Sequence, residues 1–348
     1  MHKGKSRRCC AWMLALSVCL RLSMALGLDA RAMAFLTRTA RQEEFARWML
    51  FLETGQAVQV QEKEPEAKLW VLQVEQPMEE EKEAPVEEPA PLHLTVAPSS
   101  EITVAGGCTY AFDKQALLER PSTLDLSGTG PQILIVHTHG SEAYTPEAGM
   151  TYQSLGNYRT LDAERSVIQV GEVLADTLEQ AGFGVIHDTA VNDYPSYNTS
   201  YWTTLQRIEN WKAQYPSLQM VIDVHRDAVE QNGQAVALSA TADGESCAKL
   251  MLVVGTDQGG LSHPNWQENL ANALKLQSVL QGRYPGLCRS MDLRTERFNQ
   301  HATPGSFLVE VGTNGNTLSQ ALRSAELLGQ CLGDMLTALK QNGGRLQA

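Results

Sequence analysis

Residues 132–142 read QILIVHTHGSE. Four apolar residues, Ile133–Val136, three of them β-branched, run directly into His137, Thr138 and His139. Such a run marks a strand buried on both faces, and the polar residues mark the loop it enters. The pattern recurs downstream in FGVIHD (183–188), LQMVIDVHRD (218–227), KLMLVVGTD (249–257) and GSFLVEVG (305–312). Between these runs, Ala163–Ala181, Ser200–Gln214 and Trp266–Gln281 carry helical periodicity. Thr317–Gln341 reads as a long amphipathic helix, with Thr317 as N-cap and Gln320 at capping-box spacing. Apolar strands alternating with helices predict an α/β domain with a mostly parallel sheet covered by helices. Ligand sites in such sheets lie at the carboxyl ends of the strands.

Three strands carry ionisable groups where the pattern is otherwise apolar. IVHTHGSEAY (135–144) holds His137, His139 and Glu142. VIDVHRDA (221–228) holds Asp223, His225, Arg226 and Asp227. FLVEVG (307–312) holds Glu310 between Val309 and Val311. A carboxylate in an apolar strand is costly to bury unless a cation, a metal or a proton-transfer role compensates.

His139-x-x-Glu142 with a distant His225 makes two imidazoles and one carboxylate, a ligand set of catalytic zinc sites. Glu310 would then take the proton of an activated water and pass it to a leaving amine. Asp223 shares a strand face with His225 and is placed to orient it, whereas Arg226 points the other way unless the strand bends. His137 and His139 share a face by the same rule, so either is a candidate ligand. The bland alternatives are a chance HxxE, hydrogen-bonded structural histidines, and a buried ion pair of Glu310 with Arg226 or Arg294. No GxSxG elbow, P-loop or GxGxxG is present, and Ser141 lacks an elbow context.

Beyond this core, the 348-residue chain has 43% hydrophobic residues, enough to bury a core, and a net charge of −12. That acidity argues against nucleic acid as a partner. Four cysteines lie beyond the N-terminal run, Cys108, Cys247, Cys288 and Cys331, without CxxC spacing, so a cysteine zinc site is not expected. The first 31 residues hold six basic residues against one acid, leaving −17 for the rest. Lys3, Lys5, Arg7 and Arg8 precede an apolar stretch, Cys9–Leu28, broken only by Arg21. Roughly 20 apolar residues span a bilayer, so residues 1–31 read as a cytoplasmic tip and single-pass anchor. A cleavable signal peptide ending near Ala32-Met-Ala34 is the rival reading. Residues 32–54 have the spacing of a juxtamembrane amphipathic helix, and 55–130 form a Pro/Glu-rich acidic linker and lead-in. The catalytic domain is expected at 131–342, on the outer face of the membrane.

The sequence also resembles the stage II sporulation protein P family of cell-wall hydrolases. The resemblance rests on ILIVHTHGSEAY, DTAVNDYPSYNTSY (188–201), VIDVHRDA, LMLVVG with HPNWQEN (263–269), FNQ (298–300) and FLVEVGTNGNT (307–317). It implies a fold similar to zinc-dependent N-acetylmuramoyl-L-alanine amidases, and hydrolysis of the amide joining the lactyl group to the stem peptide, with cross-links as a further substrate. It implies work on peptidoglycan in sporulation engulfment, at the septal or engulfing membrane, beside stage II sporulation proteins D and M. Residue by residue it implies Zn2+ held by His139, Glu142 and His225, with Glu164 as the alternative carboxylate ligand. It further implies Glu310 as the catalytic glutamate. Arg226 is read beside it as a catalytic, transition-state contact and Asn299, Gln300 and Asn316 as substrate contacts, with support of the last helix cap as the alternative for Asn316. Departures from the family pattern are Gly140, Phe298, Thr313 and His263. Two other functions stay open: a zinc carboxypeptidase or endopeptidase of stem peptides, and a non-catalytic wall-binding scaffold.

Overall fold

The computed structural model describes residues 92–346. Seven strands make the main sheet: β1 (Val104–Ala105), β2 (Ile133–Val136), β3 (Val185–His187), β4 (Met220–Asp227), β9 (Leu250–Gly255), β10 (Met291–Arg294) and β11 (Phe307–Thr313). Their order across the sheet is β1-β10-β9-β11-β4-β2-β3, and every pairing is parallel except β9 with β11. Two small hairpins, β5–β6 (Glu230–Gln231, Gln234–Ala235) and β7–β8 (Ser239–Ala242, Glu245–Ala248), lie outside it. Among the described residues there are five α-helices: α1 (Lys114–Glu119), α2 (Val167–Gln180), α3 (Ser200–Gln214), α4 (Trp266–Arg283) and α5 (Leu318–Gln341). The expected mostly parallel sheet covered by helices is present.

Strand alternation sets what each side of the sheet carries. Leu134, Val136 and Val221 meet Ile208 of α3 and Leu218 in the smaller core. Ile133, Ile135, Ile222, Val224, Val309 and Val311 join the larger core with α2, α4 and α5. Asp223 and His225 therefore share the α3 side with Val221, while Arg226 points to the opposite side.

The last helix starts where the sequence places it. Thr317 Oγ1 accepts from the Gln320 amide and the Gln320 side chain accepts from the Thr317 amide, both at 3.3 Å, closing the capping box. The single helix expected at Ala163–Ala181 is instead a 3-10 turn, Ala163–Arg165, followed by α2. Ser166 is extended between them, and its hydroxyl accepts from the Ile168 amide at 3.2 Å. A serine able to cap a new helix interrupts the old one. Part of the stretch read as linker also packs into the domain: Ile102, Leu117 and Leu126 are buried, and β1 joins the sheet edge.

The membrane reading is corrected. Among the described residues no helix is long and apolar enough to cross a membrane. The longest, α5, carries Arg323, Glu326, Asp334 and Lys340, and buries its apolar stripe in the core instead. The structure therefore supplies no spanning helix for a single-pass topology, a membrane partner or an outer-face location. The Cys9–Leu28 stretch and the helix expected at 32–54 lie outside the described residues.

Candidate active site

His225 and Glu310 are register partners across the parallel β4–β11 pair, so their side chains project on one side of the sheet. The β11 register shifts between Glu310 and Thr313, where Gly312 takes φ +72°, a left-handed turn of the backbone. Glu310 Oε2 is buried without a hydrogen-bond partner. Burial pushes its carboxyl up to about 8, with Glu142 and Asp227 adding to the rise and His225 opposing it.

His225 stands between two carboxylates. Its Nδ1 is 3.3 Å from Glu142 Oε2, and its Nε2 makes a short, bent contact of 2.9 Å with Asp223 Oδ1. Burial works against a charged ring here, yet Asp223 and Glu142 hold its pKa well above the ordinary value. Asp223 is itself locked by Thr138, whose amide donates to Oδ1 at 2.8 Å and whose hydroxyl donates to Oδ2 at 2.6 Å.

His139 comes from the turn after β2. Its ring stacks on Tyr197 at 4.4 Å between centroids and meets His225 and Tyr201 edge-on at 5.3 and 5.6 Å. Burial lowers its pKa, which keeps the ring neutral at physiological pH, and its Nδ1 is buried without a hydrogen-bond partner. His137 turns the other way. Its Nδ1 donates to Val224 O at 3.1 Å and its Nε2 lies 2.8 Å from His187 Nε2, against Gly171 of α2. The two histidines do not share a face, because the strand ends at Val136 and the chain turns between them.

Glu142 is held by the Arg159 guanidinium at 3.2 Å and by the Arg226 amide at 3.2 Å. Burial opposes its charge, but His225, Arg226 and His139 hold its carboxyl down to about 2. Asp193 accepts from the Ser141 amide, the Ser141 hydroxyl and Arg159 Nη1, at 3.1, 2.5 and 2.5 Å, and lies 3.8 Å from His139 Nδ1. Arg159 also lies over the Tyr197 ring at 5.0 Å. Asp193, Arg159, Tyr197 and Tyr201 had no assigned role in the sequence. Asp193, Tyr197 and Tyr201 fall within DTAVNDYPSYNTSY, which was the signal available.

Among the described residues, no group of three or more His, Cys, Asp or Glu side chains converges tightly enough to hold a metal ion as it stands. The donor chemistry of His139, Glu142 and His225 nevertheless fits one. His225 is held protonated between Asp223 and Glu142, and when it gives up the Nδ1 proton its lone pair faces a Glu142 oxygen. Two acceptors at 3.3 Å require a cation between them, a proton or a metal ion. Two ligands around a tetrahedral ion take a spacing of about 3.3 Å. The unpartnered Nδ1 of His139 is a further free donor.

The remaining candidates are turned elsewhere. Arg226 donates through Nε to Ala143 O at 2.9 Å and through Nη2 to Asn157 O and Tyr158 O at 3.0 Å, tying down the loop after Glu142. Gln300 accepts from the Gly255 amide and donates to Val253 O, at 2.8 and 3.0 Å, both on β9. Asn299, left-handed at φ +60°, donates to Tyr201 O at 2.7 Å. Asn316 accepts from Thr313 and Leu238 and donates to Ser239 and Gln320, supporting the α5 cap. Glu164 is exposed and lines a separate groove with Met150, Arg165 and Leu318.

These features define an α/β domain whose strands and the loops after them bring His139 and His225 together with the carboxylates of Glu142, Asp193, Asp223 and Glu310. A family profile described as Stage II sporulation protein P matches residues 30–333, and the chain belongs to that family. Stage II sporulation protein P of Bacillus subtilis (strain 168) is 26% identical over 221 residues, 60% of this chain and 52% of that protein. The chain thus matches about half the length of this curated relative. Among solved structures, the CwlD amidase from Clostridioides difficile, in complex with the GerS lipoprotein, is similar at a TM-score of 0.38 and 10% identity, covering 60% of this chain and 98% of that one. The N-acetylmuramoyl-L-alanine amidase AmiC2 of Nostoc punctiforme is similar at 0.35 and 16%, covering 62% and 98%.

Proposed function

We propose that the chain is a metal-dependent peptidoglycan hydrolase that cleaves the N-acetylmuramoyl-L-alanine amide during sporulation. The observation that carries this reading is Glu310, with one oxygen buried and unpartnered, in register with His225, whose ring meets His139 and Glu142. Zinc is the ion proposed for His139, Glu142 and His225; bound there, it supplies Lewis acidity, lowering the pKa of water and polarising the scissile carbonyl. Glu310 takes the proton of the attacking water on its free Oε2 and returns it to the leaving amine. Burial raises the proton affinity of this carboxyl, which favours its taking the proton. Asp223, 2.9 Å from His225 Nε2, orients the ring. Arg159 holds both Glu142 and Asp193, which orders the wall beside His139. Tyr201 closes that wall; burial, with Asp223 and Glu310 adding, pushes its phenol well up, so it remains an O–H donor.

The test is digestion of purified peptidoglycan by the full-length chain, with and without chelator, and mass spectrometry of the released ends. Release of whole stem peptides, lost on chelation and restored by zinc, is the expected result. Products that keep the first residue on the sugar would replace the amidase with a peptidase. No release with zinc present would leave a non-catalytic wall-binding protein.

A further inference from the structure

Between β2 and α2 the chain turns back on itself, so that Glu142 and Arg159 become antiparallel bridge partners. The Thr160 amide donates to Ser141 O and the Ala143 amide to Tyr158 O, both at 2.8 Å, one on each side of the pair. To reach that register Asn157 and Tyr158 both take left-handed backbone, at φ +49° and +53°. Two consecutive non-glycine residues in that region carry strain that the surrounding contacts must hold. Arg226 holds it, because its Nη2 donates to both of their carbonyls at 3.0 Å. Residues directly opposite in an antiparallel pair bring their side chains together, and here a guanidinium meets a carboxylate.

Arg159 divides the two oxygens of Glu142. Its Nη2 donates to Oε1 at 3.2 Å, while Oε2 takes the Arg226 amide at 3.2 Å and faces His225 Nδ1 at 3.3 Å. Arg226 Nη1 lies farther from Oε1, at 3.9 Å. The Arg159 guanidinium is pinned there, with Nη1 spent on Ser141 Oγ and Asp193 Oδ2 and its centre over the Tyr197 ring at 5.0 Å. A cation this near a metal site repels the ion, a cost that is offset where the arginine positions a ligand. We infer that Arg159 is a positioning residue that keeps Glu142 a one-oxygen ligand, with Oε1 on the guanidinium and Oε2 toward the ion; this rests on the metal reading above. A carboxylate free at both oxygens can bind an ion through the pair, and its second oxygen then takes the place that a catalytic zinc site leaves to water.

The test is visible absorption of Co2+ bound to the full-length chain, since a tetrahedral Co2+ site absorbs far more strongly than one with more ligands. Wild type should bind one Co2+ per chain with intense bands. Arg159→Met should still bind one ion, with band intensity down about twofold or more. Arg159→Lys, whose ammonium can donate to Oε1, should restore the intensity. Asp193→Asn leaves the Arg159–Glu142 bond in place and should leave the spectrum unchanged. If Arg159→Met does not fold, the double variant Asp193→Asn/Arg159→Met, which has no buried unpaired carboxylate at Asp193, carries the comparison. Wild-type intensity in the variants that lack the guanidinium, or the same loss in Asp193→Asn alone, would overturn the inference and leave the hydrolase reading standing. Weak bands from fully loaded wild-type protein would do the same. No Co2+ bound by wild type would sink the metal site and the inference together.

Discussion

Glu310 and His225 face one another on neighbouring strands, and their environments push their proton affinities in the same direction for different reasons. Glu310 is raised because burial disfavours its charge, and His225 because Asp223 and Glu142 favour its charge. Glu310→Gln keeps the shape and hydrogen-bonding size of the side chain but removes its base. Turnover should fall by about 10² to 10⁴ fold while the melting temperature holds, as measured by product release and calorimetry. His139→Ala or His225→Ala should abolish zinc retention after gel filtration, read by elemental analysis. Zinc retained at wild-type stoichiometry in both variants would remove these residues from the ligand set. At this scale the sequence marked His139, Glu142, His225 and Glu310 because polar residues interrupt apolar runs. It could not separate His137 from His139, since that depends on where the strand stops. Arg226, Gln300 and Asn316 looked like contacts because they are polar and near the motifs. Arg226 and Gln300 spend theirs on backbone groups that only the folded chain brings near, and Asn316 spends its own on two backbone amides and on the Ser239 and Gln320 side chains.

Elements place these side chains, and small residues let the elements approach. A Cβ on Gly171 of α2 would lie 2.6 Å from the His137 ring and 2.7 Å from the His187 ring. Both rings are hydrogen-bonded to one another and cannot retreat freely. Gly171→Ala should therefore destabilise the fold by roughly 1–3 kcal/mol in chemical denaturation, more than its gain in helix propensity returns. The link from β3 to α3 is electrostatic. Asp188 accepts from Arg207 Nε and Nη2 and from Trp211 Nε1, all at 2.7 Å. Burial raises this carboxyl, but Arg207 and Trp211 outweigh it and hold its pKa below the ordinary value. Because the folded pKa is the lower one, the stabilisation is present above the unfolded value near 3.8 and is lost as pH falls through the folded pKa. Wild type and Arg207→Met should differ in stability at pH 6 and converge toward pH 2; a constant gap across that range would assign the effect to packing instead.

For the domain as a whole, the lead-in before β2 is part of the fold. Lys275 of α4, wholly buried, donates to Leu117 O at 3.0 Å and so ties α1 to the larger core. Burial lowers its pKa to about 8, with Glu268 opposing. Between about 8 and 10.4 the unfolded chain holds the extra proton, so stability should rise with pH across that window. Lys275→Met should flatten the rise in denaturation curves taken from pH 7.5 to 10. The amino-acid sequence by itself determined the α/β alternation, the α5 capping box and the residues that interrupt apolar strands, because periodicity, capping and burial cost are local properties. Tertiary structure alone decided the antiparallel β9–β11 pairing, the splitting of His137 from His139, and the Arg159–Asp193 wall. Each depends on which distant group satisfies a buried donor or acceptor, and no local pattern encodes that partner.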